Sequence, residues 1–538
     1  MKKEKITHEK SKALPYLLLS AVVGITTGIL IFLFKISSSY VMKLSGEIYS
    51  AVRENPIYLP LLLIGAMVIG LISAMILKYA KECRGGGIPT AIASIRGLLP
   101  LKWLQGIFVL FCSALLTFFV GVPLGNEGPS VQMGTAAGKG VSRLAGKNRR
   151  AWERYAMTAG ASSGFAIATG APLSGIVFAL EEAHRRFSPA IFTVAAISVI
   201  TGTLTQEHLS RFFGVDTTFF DLTIDNVLPF KNLWVAIVIG IITGIVSIFF
   251  TAIYKKVRKF DKKALAKVPF PIKITVIFVI SALFGFWNSD FIGTGHHLIE
   301  EILHGEVLIP LLIAALIIRP ILMIFANGEG VCGGLFVPTL TFGAIIAALI
   351  TETFVALGAV DAQYFPILVA VGMASFFSAS SRTPITALTF GAEALCVSHN
   401  ILPLAIGVAI SYFTVEFFGK SSFTDAVIES KIEHAHKGQL ATVVDKHMTV
   451  MDGAFAAGMN NCDILWPPTC AVLSVDKAKS KALTDLSVIS EGDVLHIHYQ
   501  TYDDTDTTEI LTNILGDQPE DEKAKRHVVE RDHIIPLD

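Results

Sequence analysis

Residues 103–131 read WLQGIFVLFCSALLTFFVGVPLGNEGPSV, and they decide the kind of fold. Trp103–Val120 is apolar and uncharged over the roughly 18 residues that a membrane-spanning helix needs. Glycine and proline then interrupt the apolar pattern at Gly125–Pro129, with a single acid, Glu127, inside the interruption. Non-helical backbone at membrane depth is stable only where it lines a cavity or is buried in protein. The stretch therefore predicts a broken helix carrying an intramembrane carboxylate.

Further long apolar runs extend the same pattern over the chain, and only 16% of its 538 residues are charged whereas 52% are hydrophobic. Soluble domains average about 25% charged residues. The clearest runs are Leu17–Phe34, Leu59–Leu77, Trp234–Ile253, Ile272–Phe286 and Val307–Ile324. We expect about a dozen spanning or half-spanning helices, and hence an all-α polytopic membrane protein. The composition excludes an ordinary soluble protein, a disordered chain and a fibrous repeat.

The net charge of zero hides two oppositely charged parts. Residues 434–538 hold nine basic and eighteen acidic side chains, a net charge of −9, and residues 1–433 carry +9. By the positive-inside rule the basic segments 1–12, 139–154 and 255–267 face the cytoplasm. We therefore predict a cytoplasmic N-terminus over 1–14, a membrane domain over 15–433 and a cytoplasmic domain over 434–538.

The membrane domain repeats itself. Gly160, Pro172 and Glu181 recur as Gly372, Pro384 and Glu393, each 212 residues later. The charge pattern makes the first helix of each half run in opposite directions, as in the inverted-topology repeats of secondary transporters. We predict repeat halves at about 15–206 and 233–418.

Three motifs combine glycine with a following proline: Gly85–Pro89, Gly125–Pro129 and Gly334–Pro338, called here the first, second and third motif. A proline suits the first position of a helix. Unpaired N–H groups at helix N-termini carry partial positive charge and bind anions. Three such N-termini meeting at one point would hold a small anion weakly enough for it to leave.

The motifs resemble those of the CLC chloride channels and proton-coupled chloride transporters. The second and third motifs match the family patterns Gly-x-Glu-Gly-Pro and Gly-x-Phe-x-Pro, and the first is a variant of Gly-Ser-Gly-Ile-Pro. Gly170–Glu182 also looks like the family. The resemblance implies a CLC-type inverted repeat with broken helices, a homodimer with one pore per subunit, and anion transport.

The resemblance also implies roles for individual residues. Glu127 matches the external gating glutamate, and Glu182 matches the internal proton glutamate. The anion-binding residues implied are Gly86, Gly87, Ile88, Leu335, Phe336 and Phe423. The alternatives for Glu127 are an ion pair with a nearby arginine or a position closer to the surface than the pattern indicates. The alternative for Glu182 is a salt bridge with the basic residues that follow it, His184, Arg185 and Arg186.

Three positions depart from the family pattern. Gly86 stands where most members carry serine, Phe423 where they carry tyrosine, and Asn126 where they often carry arginine or lysine. Phe423 keeps an aromatic ring but loses the phenolic donor. Selectivity among chloride, nitrate and fluoride therefore stays open.

The leading hypothesis is exchange of chloride for protons across the membrane, because Glu182 is the acid typical of exchangers. The alternatives are a passive chloride channel, a fluoride/proton exporter of the same fold and, more remotely, a non-transporting receptor. We expect no enzymatic activity, cofactor, metal site or nucleic-acid partner. The predicted location is a prokaryotic plasma (inner) membrane, with both termini cytoplasmic.

The C-terminal segment has a different character from the rest of the chain. Val443–Tyr502 alternates like β-strands, 503–516 suggests a short helix, and 517–538 a polar tail. Around Gly492-Asp493 it resembles the small C-terminal module of RCK-type potassium-transport regulators. We predict a small soluble β-rich domain that regulates transport or supports the dimer, with an unknown small ligand.

Overall fold

The computed structural model describes residues 2–146, 150–215, 219–220, 224, 226–305, 307–395, 397–419, 421–436, 439, 441–478, 488–518 and 525–529, and it describes no side chains for 2–16, 150 and 525–529. The helices are α1 (Lys2–Glu54), α2 (Leu59–Tyr79), α3 (Ile88–Ile95), α4 (Trp103–Val120), α5 (Glu127–Leu144), α6 (Arg150–Thr169), α7 (Pro172–Phe178), α8 (Pro189–Phe213), α9 (Leu233–Ala264), α10 (Phe270–Trp287), α11 (His296–His304), α12 (Ile309–Glu329), α13 (Phe336–Ala356), α14 (Phe365–Ser381), α15 (Pro384–Ala394), α16 (Ile401–Phe418), α17 (Phe423–Ala435) and α18 (Asp504–Leu515). The strands are β1 (Ala441–Thr449), β2 (Ala471–Asp476), β3 (Val494–Thr501) and β4 (Lys525–Val529).

Most of the long helices are membrane spans. Within the described residues, ten helical segments are long and apolar enough to cross a bilayer. Two of the three helices that carry the motifs differ from these spans, since α3 is short and α5 is buried along almost its whole length, whereas α13 is itself one of the ten. The chain is an integral, multi-pass membrane protein whose broken helices lie inside a shell of spanning helices.

The two halves of the membrane domain make equivalent contacts through small residues. Glycines let two helix backbones approach closely in a membrane. A Cβ at Gly28 of α1 would lie 2.7 Å from the Gly202 carbonyl oxygen of α8, and one at Gly240 of α9 would lie 2.7 Å from the Gly407 carbonyl oxygen of α16. Packing of α1 on α8 is thus repeated by α9 on α16.

The same correspondence holds deeper in the fold. A Cβ at Gly134 of α5 would lie 2.2 Å from the Gly160 carbonyl oxygen of α6. The later pair repeats the contact, because a Cβ at Gly343 of α13 would lie 2.4 Å from the Gly372 carbonyl oxygen of α14. The prediction of an internal repeat from these glycines is confirmed.

The repeat is inverted. Helix α8 begins beside the C-terminal domain, where Ser188 Oγ lies 2.5 Å from Asp463 Oδ1. Helix α9, the counterpart of α1, ends at the same side of the molecule, where Lys262 Nζ lies 2.5 Å from Glu433 Oε2. Helix α1 packs parallel to α8, so it also begins at this side of the molecule, whereas α9 ends there. The first helices of the two halves therefore run in opposite directions.

Two glutamates tie the halves together by capping each other's short helices. Glu181, just after α7, accepts hydrogen bonds from the N–H groups of Ile385 (2.9 Å) and Thr386 (2.6 Å) at the start of α15. Glu393 of α15 accepts from Leu173 (2.9 Å) and Ser174 (3.0 Å) at the start of α7. A carboxylate stabilises the otherwise unpaired N–H groups and the positive end of a helix. We call this arrangement the reciprocal cap.

The motif helices start earlier than the prolines suggested. Helix α5 begins at Glu127 and α13 at Phe336, so Pro129 and Pro338 are third residues of their helices, and Pro89 is the second residue of α3. The prediction of proline at the first helical position is therefore wrong by one or two residues. Any of the first four N–H groups lacks an intrahelical partner, so proline is tolerated at each of these places.

The C-terminal domain is an antiparallel sheet with strand order β2-β3-β1-β4 and one helix, α18. Its core holds Val444, Leu495, Ile497, Tyr499 and Leu511. The predicted small β-rich domain and its helix are confirmed. The predicted polar tail is wrong for β4, which pairs with β1 in the register Ala441↔Val529. A five-residue, charge-rich strand is too short for alternation to reveal it; 519–524 and 530–538 lie outside the described residues.

Continuous helices cross both of the predicted domain boundaries. Helix α1 runs from Lys2 through residue 14 without interruption, and α17 continues to Ala435, past the boundary at 433. The division into 1–14, 15–433 and 434–538 stays a prediction based on charge and hydropathy.

Candidate functional site

The three motifs meet at one point, called here the junction. A Cβ at Gly128 would lie 2.5 Å from Gly334 Cα and 2.8 Å from Gly87 Cα, so only glycine allows this approach. Gly125 and Gly334 exchange two backbone hydrogen bonds of 2.8 and 2.6 Å. The second motif is therefore held directly against the first and the third, as the anion-site hypothesis requires.

Glu127 lies at the junction. It is the first residue of α5, is fully buried, and its Oε2 lies 2.3 Å from where a Cβ of Gly125 would be. Neither carboxylate oxygen has a hydrogen-bond partner among the described residues. The nearest basic group is His296, whose Nε2 is 3.8 Å from Oε1. The alternative of an arginine partner is not formed within the described part of the chain.

Two N–H groups of the first motif that were predicted to bind the anion donate hydrogen bonds within the protein instead. The Gly86 N–H donates to the Cys83 carbonyl oxygen at 3.1 Å, and the Gly87 N–H donates to Gln132 Oε1 at 3.0 Å. Ile88, the first residue of α3, is buried beside them. Gln132, five residues after Glu127 on the same buried helix, is a site residue that the sequence analysis missed.

Lys431 is a second missed residue. It comes from α17, and its Nζ donates to the Arg84 carbonyl oxygen (3.1 Å), to Thr90 Oγ1 (2.7 Å) and to the Gly85 carbonyl oxygen. One ammonium group thus binds the backbone at the start of the first motif and the helix residue just after it. Nothing in the sequence pattern around residue 431 indicated this long-range contact.

The start of α13 lies between two apolar clusters. Leu335 shares one cluster with Phe376 and Phe423. The ring of the next residue, Phe336, packs in the other cluster, edge-on to three phenylalanine rings. Those rings belong to Phe165, Phe377 and Phe390, at centroid distances of 5.2, 4.8 and 5.0 Å. The helix N-terminus is therefore fixed in place by side chains that point away from each other.

Phe423 begins α17 in an aromatic environment. Its ring centroid is 4.8 Å from that of Phe250 and 5.1 Å from that of Tyr254, both on α9. It shares an apolar cluster with Leu335. The structure thus brings Phe423 together with the third motif.

Glu182 lies on a short π-helical turn, Ala179–Ala183, that continues α7. The side chain is buried, and its Oε1 accepts a long hydrogen bond (3.5 Å) from Thr424, the residue after Phe423. Thr424 Oγ1 is in turn 3.4 Å from Ser381 Oγ. The second carboxylate oxygen of Glu182, Oε2, has no hydrogen-bond partner among the described residues.

The basic residues after Glu182 are engaged elsewhere. Arg185 forms a 2.7 Å ion pair with Asp425, His184 Nε2 is 2.7 Å from Thr158 Oγ1, and Arg186 donates to the Ile464 carbonyl oxygen at 2.8 Å. The salt bridge considered as an alternative for Glu182 is thus not formed in the described part of the molecule.

The C-terminal domain docks close to Glu182. Arg154 of α6 donates to the carbonyl oxygens of Leu465 (3.1 Å) and Trp466, and Tyr155 accepts from the Leu465 N–H at 3.2 Å. The rings of Trp152 and Phe455 meet edge to face at 4.6 Å. We call residues 461–468 the docking loop. Sequence reasoning missed this contact, because its partners lie about 310 positions apart.

Arg96 connects α3 to the turn that carries Glu182. Its Nε and Nη2 donate to the carbonyl oxygens of Ala183 and Glu182, both at 2.9 Å. Arg154 donates to the Ile95 carbonyl oxygen at 2.7 Å. The docking loop, the Glu182 turn and the end of α3 therefore form one hydrogen-bonded unit.

Glu329 is an acid whose position in the fold differs from that of Glu127. It ends α12 as a buried side chain paired with Lys273 (2.9 Å) and Arg258 (3.7 Å). Two cations from neighbouring helices partly offset the cost of burying this acid. Of the glycines on either side, Gly328 lies within the last turn of α12 and Gly330 caps its C-terminal end.

Three histidines of the C-terminal part of the chain, His436, His496 and His498, pair with groups outside the junction. His436 stacks on Tyr502 at 4.1 Å, and its Nε2 is 3.3 Å from the Leu98 carbonyl oxygen. His496 stacks on His447 at 4.4 Å, and His498 pairs with Asp445 at 2.7 Å across β1 and β3.

The fold and the junction define a class: polytopic helical membrane proteins with an inverted repeat whose broken helices direct their N-termini at a buried site. The sequence profile of the family described as Voltage gated chloride channel matches residues 68–416. Because that match spans more than half of the chain, the chain belongs to this family.

Individual relatives agree with the assignment. The chain is 26% identical over 451 residues to the H(+)/Cl(−) exchange transporter ClcA of Yersinia pseudotuberculosis serotype IB (strain PB1/+), covering 81% of this chain and 91% of that protein. A slow cyanobacterial Cl−/H+ antiporter has a similar fold, with a TM-score of 0.69, 22% identity and coverage of 78% and 98%. A CLC-type fluoride/proton antiporter gives a TM-score of 0.61, 19% identity and coverage of 74% and 95%. The family match ends before the C-terminal domain, so its likeness to an RCK module stays a prediction.

Proposed function

We propose that the protein exchanges chloride for protons across the membrane. The observation that carries the proposal is Glu127, a buried carboxylate without a hydrogen-bond partner in the described chain, at the point where three motifs meet. The curated relative in Yersinia, named as an H(+)/Cl(−) exchange transporter, supports the same activity.

Glu127 acts as the gate at the junction. When ionised, its carboxylate occupies the place of an anion near the helix N-termini. When protonated, the neutral side chain loses that attraction and swings aside, so chloride can take its place. Helix N-termini offer only partial charges, which lets the anion leave again.

Glu182 exchanges protons with the cytoplasmic side. It lies on the side of the docked C-terminal domain, and the hydroxyl groups of Thr424 and Ser381 continue from it at 3.5 and 3.4 Å. Hydroxyl groups both donate and accept, so they can pass a proton along such a chain. Thr424 follows Phe423, which brings this route to the anion pathway.

The anion contacts divide into two groups. Ile88, Leu335, Phe336 and Phe423 line the pathway, with the backbone at the starts of α3 and α13 as the donor groups. Gly86 and Gly87 hold the shape of the first motif, because Cys83 and Gln132 accept hydrogen bonds from their N–H groups.

Both termini face the cytoplasm of a prokaryotic cell whose inner membrane holds the protein. The acidic C-terminal domain contacts the basic start of α6, and basic segments remain on the cytoplasmic side during insertion. We also propose a homodimer with one pathway per subunit, based on the family resemblance.

The C-terminal domain regulates exchange. Its docking loop shares a hydrogen-bonded unit with the turn that carries Glu182, so undocking would alter proton delivery. A small ligand of the domain would act through this contact.

The test is proton and chloride flux in proteoliposomes that contain the purified protein. We expect a chloride gradient to drive protons uphill. Glu127→Gln and Glu182→Gln should each abolish proton movement, whereas the control Glu207→Gln, at a half-exposed position on α8, should not. Chloride flux without proton movement in the unmodified protein would refute exchange.

The same preparation separates the alternatives. A passive channel gives a chloride reversal potential that does not change with pH. A fluoride exporter carries fluoride much faster than chloride. A receptor carries neither anion above the rate of protein-free liposomes.

A further inference from the structure

Three potential metal ligands lie together around α11, outside the pathway described above. They are Asp290, His297 and Glu301, and their ligand atoms all lie within 4.8 Å of one another. His297 and Glu301 are one helical turn apart on α11, which places them on the same face. Asp290 comes from the turn Ser289–Phe291 that precedes this helix.

The distances suit a zinc-type ion. Two ligands at bond lengths of about 2.0–2.1 Å in a tetrahedral site are about 3.3 Å apart. His297 Nδ1 lies 3.4 Å from Glu301 Oε2, so this pair already has the required separation. The ligand oxygen of Asp290 lies within 4.8 Å of the other two ligand atoms and completes a three-ligand set, in which water fills the fourth position.

The carboxylate of Asp290 provides an independent observation. Asp290 is only 8% exposed, and the nearby Arg319, whose charge acts on the Asp290 carboxylate, donates its hydrogen bonds to backbone carbonyl oxygens. Burying an ionised carboxylate without a hydrogen-bond donor is costly. A bound cation would remove that cost.

The backbone that carries Asp290 is held in place. The guanidinium of Arg319 donates to the carbonyl oxygens of Asp290, Ile292 and Gly293, each at 2.8 Å. The guanidinium of Arg319 therefore donates to backbone carbonyl oxygens, and the Asp290 carboxylate lies close to His297 and Glu301. A rigid support of this kind is what a preorganised metal site needs.

We propose that Asp290, His297 and Glu301 form a binding site for a divalent transition-metal cation of the zinc type. The imidazole favours zinc, cobalt or nickel over calcium and magnesium, which prefer all-oxygen sites. The side chain of His297 is 74% exposed, so an ion can enter from solution. The neighbouring His296 contacts Glu127, which places the metal next to the gate of the proposed exchanger.

The test is zinc binding to the purified, tag-free, full-length protein after chelator treatment, measured by calorimetry. All proteins carry His447→Ala, because the stacked rings of His447 and His496 form a competing pair. We expect one zinc ion per chain at this site. His297→Ala and Glu301→Gln should each weaken binding by at least about tenfold, and the control His304→Ala, on the exposed end of the same helix, should not.

Cobalt gives a second readout, because its visible absorption reports four-coordinate ligation. The tetrahedral cobalt spectrum should be lost in His297→Ala, an exposed substitution that leaves the fold intact. The absence of stoichiometric zinc uptake, or uptake equal in the parent and His297→Ala, would overturn the site. Because binding is measured without transport, failure of the exchange proposal would leave this result unaffected, and the reverse also holds.

Discussion

Gly86 and Gln132 fit each other at the first motif. A Cβ at position 86 would lie 2.8 Å from Gln132 Oε1 and 2.7 Å from Leu110 Cδ2. The space that a serine would need is therefore filled by the amide that accepts the Gly87 N–H. The glycine that departs from the family pattern thus has a local structural reason.

This fit predicts the effect of restoring serine. Gly86→Ser should push Gln132 away from Gly87, and losing one buried hydrogen bond should lower stability by about 1 kcal/mol. In the Gln132→Ala background the same serine should cost clearly less, because the contact is already absent. Denaturant unfolding in detergent measures the coupling, and strictly additive effects would contradict it.

Asp493 predicts a pH dependence of the C-terminal domain. Burial raises the pKa of its carboxyl, but hydrogen bonds from Lys477 and from the N–H groups of Ser490 and Ala478 outweigh burial and leave the pKa below its ordinary value. The stabilisation is therefore present above the unfolded pKa of about 3.9 and is lost as pH falls through the lower folded value.

We expect β3 of the full-length protein to exchange amide hydrogens faster as pH falls below about 4, after correction for the intrinsic rate. Asp493→Asn should lower protection at neutral pH and flatten the pH dependence. Asp476→Asn, at an exposed position on β2, serves as the control. Equal pH profiles for Asp493→Asn and the unmodified chain would argue against this contribution.

At the scale of elements, the neighbouring acids Glu181 and Glu182 have opposite roles. Glu181 belongs to the reciprocal cap, with bonds of 2.6–2.9 Å to α15, whereas Glu182 has one long contact to Thr424. Glu181→Gln replaces an acceptor with a donor that faces N–H groups. The unfolding free energy should fall by about 1–3 kcal/mol.

Glu182→Gln is the matched control for stability, one residue away. It should leave the thermal unfolding midpoint nearly unchanged while it abolishes proton movement. Glu393→Gln should resemble Glu181→Gln, since it breaks the same arrangement in the other half. A loss of stability in Glu182→Gln as large as in Glu181→Gln would show that the two roles are not separate.

The elements show how far sequence reasoning reaches. Gly160, Pro172 and Glu181 matched their later counterparts at one spacing, and the resulting prediction of an inverted repeat is correct because helix packing and capping depend on those same residues. Gln132 and Lys431 were missed because each bonds a motif that is distant in sequence. Local patterns do not encode such pairings.

At the scale of the whole molecule, the C-terminal domain is held by backbone groups of the docking loop. Tyr155 accepts from the Leu465 N–H and donates to the Asp463 carbonyl oxygen, and Arg154 donates to the carbonyl oxygens of Leu465 and Trp466. Tyr155→Phe combined with Trp152→Ala removes two kinds of contact without adding charge. Proteolysis within residues 461–468 should become several-fold faster, because the loop opens more often.

The transport consequence is measured with the same double variant. If the docking loop controls the turn of Glu182, the proton flux per chloride or the overall rate should change. His208→Ala, far from the docking loop at the other end of α8, is the control. Faster proteolysis with unaltered flux would separate docking from regulation and contradict the regulatory role.

The reciprocal cap also bears on ancestry. Each half of the membrane domain supplies the carboxylate that the other half's short helix needs, so neither half is complete alone. Two identical half-length chains inserted in opposite orientations would satisfy the same bonds. A small dual-topology protein that paired with an upside-down copy of itself is therefore a sufficient ancestor, and fusion of two such genes would preserve the contact.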